Sequence, residues 1–138
     1  MSERLPIKDC AWIICGGRDF SDWQAFEASM DMACGLRGYL PARVVHGGAA
    51  GADMLAHRWA RSHFLEVIAV LADWDRLGRS AGPARNAEML RRHPPELVVA
   101  FPGGRGTADM VAKARASGVD VLEVGLRSTT GYAERADG

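Results

Sequence analysis

Three short apolar runs, each ending on a pair of glycines, constrain this chain more than any other feature. They are Ala11-Trp12-Ile13-Ile14-Cys15 before Gly16-Gly17, Arg43-Val44-Val45-His46 before Gly47-Gly48, and Leu97-Val98-Val99-Ala100-Phe101, then Pro102, before Gly103-Gly104. The first and third show no apolar–polar alternation, the pattern of strands buried on both faces of a parallel sheet. Glycine pairs at strand ends remove Cβ atoms and allow tight turns. In a parallel sheet all such ends fall on one edge, where open α/β sheets bind ligands.

Helical segments separate the strands. Ser21 and Gln24 form a capping box ahead of a stripe of Trp23, Phe26, Met30 and Ala33, with Gly35 as the expected stop. Ala52, Leu55, Ala56, Trp59, Ala60 and His63 recur at helical spacing, and Glu66 to Val70 reads as the third strand. The twelve residues Leu71 to Gly82 break the rhythm and read as a long loop, a length often associated with function. Pro83 then suits the first turn of a helix reaching about Arg92, stopped by His93-Pro94-Pro95. Thr107 is the expected N-cap of a helix from Ala108 to Ser117, and Val119 to Val124 is the fifth strand. Strands alternating with helices, without hairpin turns, predict βαβ units and an α/β fold. Residues 1–10 read as an N-terminal extension, 11–125 as one domain and 126–138 as a flexible polar tail.

With 138 residues the chain is long enough to bury a core without staples. Lys+Arg and Asp+Glu are both 17, and a zero net charge speaks against whole-surface affinity for nucleic acid or anionic membrane. Cys10, Cys15 and Cys34 are odd in number and lack metal-ligand spacing, which suits a reducing cytoplasm. No apolar stretch approaches the ~18 residues of a membrane span, and the N-terminus carries no signal-peptide pattern. No metal or resident cofactor is expected.

The candidate chemistry gathers at the glycine turns. Gly103, Gly104, Gly106 and Thr107, after Pro102, place unpaired N–H groups and a helix dipole where an anion can bind. Gly16, Gly17, Gly47 and Gly48 allow close approach along the same edge. The spacing is neither the GxGxxG fingerprint nor a P-loop. Arg18 and Arg85 are the candidate cations. Arg85 lies early in its helix, where a cation opposes the dipole, so it marks either a bound anion or a solvated side chain. Asn86 can read an amide, hydroxyl or base edge, and Trp74 is either a stacking platform or a buried anchor. Asp53 and Asp109 sit in first helical turns, where a carboxylate is favourable with or without a ligand. His46 is either an acid–base group or a structural histidine, and Cys15 either a nucleophile or a small buried residue.

Arg85-Asn86-Ala87-Glu88-Met89 followed by Pro102-Gly103-Gly104-Arg105-Gly106-Thr107 resembles the paired motifs of the SLOG superfamily, which includes the LOG phosphoribohydrolases. Cys15-Gly16-Gly17-Arg18-Asp19-Phe20, His46-Gly47-Gly48-Ala49, Ala72-Asp73-Trp74 and Ala81-Gly82-Pro83 resemble its YspA-type, cpYpsA-related branch. The resemblance covers about residues 11–124 in order. It implies a Rossmann-like three-layer domain with a five-stranded parallel sheet of order 3-2-1-4-5. It also implies a nucleotide-like ligand carrying phosphate, and a homo-oligomer. The catalytic carry-over is partial: Arg85 matches the family arginine, whereas the family glutamate falls on Met110, which can neither hold a proton nor stabilise positive charge. Binding or sensing of an AMP- or ADP-ribose-like ligand is therefore ranked above nucleoside monophosphate hydrolysis by Arg85 with Asp109 or His46. DNA binding, as in the related DprA domains, ranks third because of the zero net charge.

Overall fold

The computed structural model describes residues 4–125, so the tail expected over 126–138 lies outside the described residues. Five strands, β1 (Ile7–Cys15), β2 (Leu40–His46), β3 (Glu66–Ala69), β4 (Leu97–Ala100) and β5 (Asp120–Glu123), form one sheet of order β3-β2-β1-β4-β5. All neighbouring pairs are parallel. The helices are α1 (Trp23–Arg37), α2 (Ala52–Ser62), the single-turn α3 (Trp74–Leu77), α4 (Ala81–Arg92) and α5 (Arg105–Ala116). This is the expected α/β architecture and strand order. β1 starts four residues before the apolar run, because Ile7 and Lys8 pair with Leu40 and Pro41 ahead of an irregularity in the register.

The strands lack alternation because both faces of the sheet are covered. Trp12, Ile14, Val44, Leu97 and Val99 pack against Phe26, Met30, Ala56 and Trp59 of α1 and α2. Their strand neighbours Ala11, Ile13, Val45 and Val98 point the other way, onto Met89, Met110 and Ala114 of α4 and α5. Trp12 and Trp59 are fully buried. Full burial of side chains of this kind stabilises the fold by roughly 1.5–3 kcal/mol or more each, so the sheet with its two helix layers is a stiff platform for the loops at its edge.

Several helix ends differ from the sequence reading. Asp22 caps α1, accepting from the Ala25 N–H at 3.0 Å, so the expected capping box at Ser21 is displaced by one residue. The helix runs through Gly35 and stops at Gly38, whose φ of 85° supplies the left-handed turn. α5 begins at Arg105 with Gly104 as its N-cap, which places Thr107 inside the first turn, its hydroxyl packed over Gly103. The expected loop 71–82 contains α3 and a 3-10 turn at Gly78–Ser80. Asp73 organises it by capping α3 and pairing with Arg76 at 3.1 Å. Among the described residues no helix is long and apolar enough to cross a membrane.

Candidate functional site

The glycine turns meet at the carboxyl edge of the sheet, and most of their glycines serve to bring one loop against another. The Gly17 N–H donates to the Pro102 carbonyl at 2.8 Å, and the Gly17 carbonyl accepts from Ala52 at 3.1 Å. A Cβ on Gly16 would lie 2.6 Å from the Ala52 Cβ, and one on Gly17 would lie 2.9 Å from the Pro102 carbonyl oxygen. Gly51, at φ 75°, backs onto the Gly17 and Arg18 backbone, so position 51 needs glycine for both space and conformation. Phe101 stacks on Phe26 at 4.4 Å and meets Phe20 at 5.4 Å, which ties the loop after β1 to that after β4.

The loop after β2 is held from beneath. Asp53 is buried in the first turn of α2, and one of its carboxylate oxygens accepts the N–H groups of Gly47 and Ala49, both at 3.1 Å. Burial raises its pKa, opposed by those N–H groups and by Arg85. His46 is fully buried and accepts the Gly48 N–H on Nδ1 at 2.9 Å. Its proton therefore sits on Nε2, 3.1 Å from His57 Nδ1. Burial, then His57 and Arg85, push its pKa down to about 4, so it is neutral at physiological pH.

Above these loops lies a cavity of about 510 Å³. Gly16, Gly17, Arg18, Gly47, Trp74, Arg85, Asn86, Gly104, Gly106, Thr107 and Asp109 line it. His46, Gly48, Pro102 and Gly103 are not on its wall; Pro102 and Gly103 instead face a shallower groove between α5 and β5. Arg79 and Arg105 also line the cavity and were missed in the sequence reading. Their signal was available, since one stands in the segment that breaks the strand–helix rhythm and the other among the glycines at the start of α5.

Arg18, Arg79, Arg85 and Arg105 thus share one cavity with two carboxylates. Asp53 is committed to the backbone N–H groups already described, and Asp109 accepts from Lys113 at 2.5 Å and from Asn86 at 3.0 Å. Burial pushes the Asp109 pKa up, but the hydrogen bonds from Lys113 and Asn86 outweigh it and hold the group below the ordinary carboxylate value. Arg85 is half-buried and donates to neutral acceptors, the Gly47 carbonyl at 2.6 Å and Asn86 Oδ1 at 3.0 Å. Burial lowers its pKa, with Asp53 opposing the shift and Arg18 adding to it. Trp74 is 48% exposed, with the Arg18 guanidinium 5.8 Å from its ring centroid, so it is no buried anchor. Met110 is fully buried in the core beneath α5, while Asp109 turns to the cavity. The Cys15 thiol borders the cavity, yet burial and then Asp53 push its pKa up to about 12, which removes it as a nucleophile.

Residues 13–77 match the sequence model of the YspA, cpYpsA-related SLOG family. Gene 61 protein of Mycobacterium phage D29 is 43% identical over 89 residues, covering 59% of this chain and 70% of that protein. The chain belongs to the YspA, cpYpsA-related SLOG family. Among solved structures, this SLOG domain is similar to DNA processing protein A (DprA) from Streptococcus pneumoniae, with TM-score 0.67 and 20% identity over 91% of the chain. It spans only 54% of that DprA chain. The Moco carrier protein from Chlamydomonas reinhardtii follows, with TM-score 0.61 and 19% identity over 94% of this chain and 84% of that one. A molybdenum cofactor binding protein from Rippkaea orientalis gives 0.57 and 22% over 99% and 87%. At these identities the likeness is one of fold, and the cavity residues carry the functional argument.

Proposed function

We propose that this SLOG domain binds a nucleotide or nucleotide derivative through its phosphate in the 510 Å³ cavity. The observation that carries the reading is the imbalance of charge: four arginines line a cavity whose two carboxylates already have donors. Arg85 in particular is a half-buried cation with no carboxylate in salt-bridge contact among the described residues, and an anion would supply that partner. The N-terminus of α5 adds its unpaired N–H groups: Gly104 caps it without a side chain, and a Cβ at Gly104 or Gly106 would meet open space. A helix terminus contributes about 0.3–2 kcal/mol, whereas micromolar binding needs about 8 kcal/mol, so the arginines supply the larger share. Trp74 offers a half-exposed face for a base. The protein acts in a reducing cytoplasm, and the exposed Met32 and Leu36 on α1 suit self-association.

Asp109 favours a second reading, hydrolysis of the N-glycosidic bond of a nucleoside monophosphate. It is an ionised carboxylate on the wall of the cavity that Arg85 also lines, one position from where the family glutamate was expected. Such a group can stabilise positive charge developing on ribose while water adds to C1′ and the base leaves with a proton.

The test is the melting temperature with AMP, ADP-ribose, NAD, GMP or CMP in turn, followed by chromatography of the same mixtures. A ligand at 100 times its Kd adds ~2.7 kcal/mol, worth a few degrees. A shift without product supports binding, and adenine with ribose 5-phosphate from AMP supports hydrolysis. No shift with any of them overturns both readings, and salt-sensitive retention of single-stranded DNA would then point to a nucleic-acid partner.

A further inference from the structure

Asn86 is 4% exposed, and its amide is committed at both ends. Oδ1 accepts from Arg85 Nε at 3.0 Å, while Nδ2 donates to Asp109 Oδ2 at 3.0 Å and to the Gly106 carbonyl at 3.2 Å. An amide has only two N–H donors, so none remains to read a base or sugar. The side chain forms part of the cavity wall and links three parts of it: the cation on α4, the carboxylate on α5 and the first turn of α5.

We propose that Asn86 is a positioning residue that fixes the Arg85 guanidinium and the Asp109 carboxylate in one relative orientation across the cavity. Each target is held at two points. Arg85 is gripped at Nε by Asn86 and at Nη1 by the Gly47 carbonyl, which sets the plane of the guanidinium and, among the described residues, leaves Nη2 open to an anion. Asp109 is gripped at Oδ2 by Asn86 and at Oδ1 by Lys113, one turn along the same helix. A free arginine loses much rotamer freedom on capturing a ligand, and ordering it beforehand removes that cost from binding. The bond to Gly106 carries the same registration to the N–H groups at the start of α5, so cation and helix terminus face the anion as a unit. Aspartate at position 86 would lose both donors and set a second carboxylate against Asp109; alanine and serine would release Arg85 Nε.

The binding arm of the test rests on the nucleotide reading, and the spectroscopic arm does not. AMP affinity is measured by calorimetry for wild type, Asn86→Ala, Arg85→Ala and the double variant. The Asp109 carboxyl is titrated by carbon NMR, and the Arg85 Nε–H exchange rate is measured, in wild type, Asn86→Ala and Asn86→Ser. The expected result is a loss of about 10- to 100-fold in AMP affinity for Asn86→Ala, the scale on which supporting contacts act. In the Arg85→Ala background the same change is expected to cost less than about threefold, because its effect runs through Arg85. The Asp109 midpoint rises and Arg85 Nε–H exchange accelerates in both Asn86 variants. Losses that add in the double variant would overturn the proposal by placing Asn86 on the ligand. So would an unchanged Asp109 midpoint and unchanged Arg85 exchange in a folded variant. Wild-type protein that binds no AMP would remove the nucleotide reading for AMP, and the NMR measurements would still decide the role of Asn86. If Asn86→Ala does not fold, Asn86→Ser takes its place in the cycle.

Discussion

Arg85 Nη1 donates to the Gly47 carbonyl at 2.6 Å, and a Cβ at position 47 would stand 2.6 Å from the Arg85 Cζ. The glycine after β2 is therefore the seat of the cavity's most buried cation. Gly47 is not among the residues with positive φ, so its backbone tolerates a side chain. Gly47→Ala is expected to keep the fold, since the end of a long side chain can move aside, and to displace Arg85. AMP affinity falls by about tenfold or more on this account, on the scale of a misplaced positioning group. Titration calorimetry beside a thermal melt checks it, and full affinity in Gly47→Ala would separate Arg85 from binding.

Arg85→Ala should divide stability from binding. Burial lowers the Arg85 pKa, which means that folding holds this cation where it is less favourable than in water. The variant is expected to melt at or slightly above the wild-type temperature while losing most of its response to AMP. A melting curve with and without saturating AMP reads both effects.

His46 predicts a pH dependence of folding. Its folded-state pKa is depressed to about 4 from an ordinary 6.5, so between these values the unfolded chain binds a proton that the folded chain refuses. Stability from this group is fully present above pH ~6.5 and is lost as pH falls toward 4, by up to about 3 kcal/mol. His46→Asn keeps an acceptor for the Gly48 N–H without titrating, and its urea midpoint should change less between pH 7 and 4.5 than that of the wild type.

The three thiols should be inert in the native protein. Burial pushes Cys15 and Cys34 up to about 12 and raises Cys10 as well. Native protein at pH 8 is expected to resist iodoacetamide, and urea-unfolded protein to take up label at all three positions. Rapid labelling of Cys15 in the folded state would reopen it as a nucleophile.

Local pattern was enough for the fold class. Runs such as Ile13-Ile14 and Val98-Val99, closed by glycine, already specify strands covered on both faces, and strands alternating with helices predict a parallel sheet, whereas the strand order followed from the family resemblance. Strand ends and caps were less legible. Asp22 rather than Ser21 caps α1, and Gly104 rather than Thr107 caps α5, because a cap is decided by which residue leaves helical geometry, a matter of how the preceding loop packs.

The sequence by itself determined that glycine turns, Arg18, Arg85 and Trp74 would share one edge of a parallel sheet, because topology sends every strand end there. Only the tertiary structure decided what each residue does at that edge. It turned Asp109 to the cavity and Met110 to the core, since adjacent helical residues point about 100° apart and the sheet settles which one is inside. Burial and partners likewise made Asn86 a brace, buried His46 as a neutral support for the Gly48 backbone, and assigned Gly16, Gly17 and Gly51 to loop-on-loop contact. The Asn86 bonds to Gly106 and Asp109 and the glycine contacts join residues far apart in the chain, and no local pattern encodes which distant backbone will lie within reach.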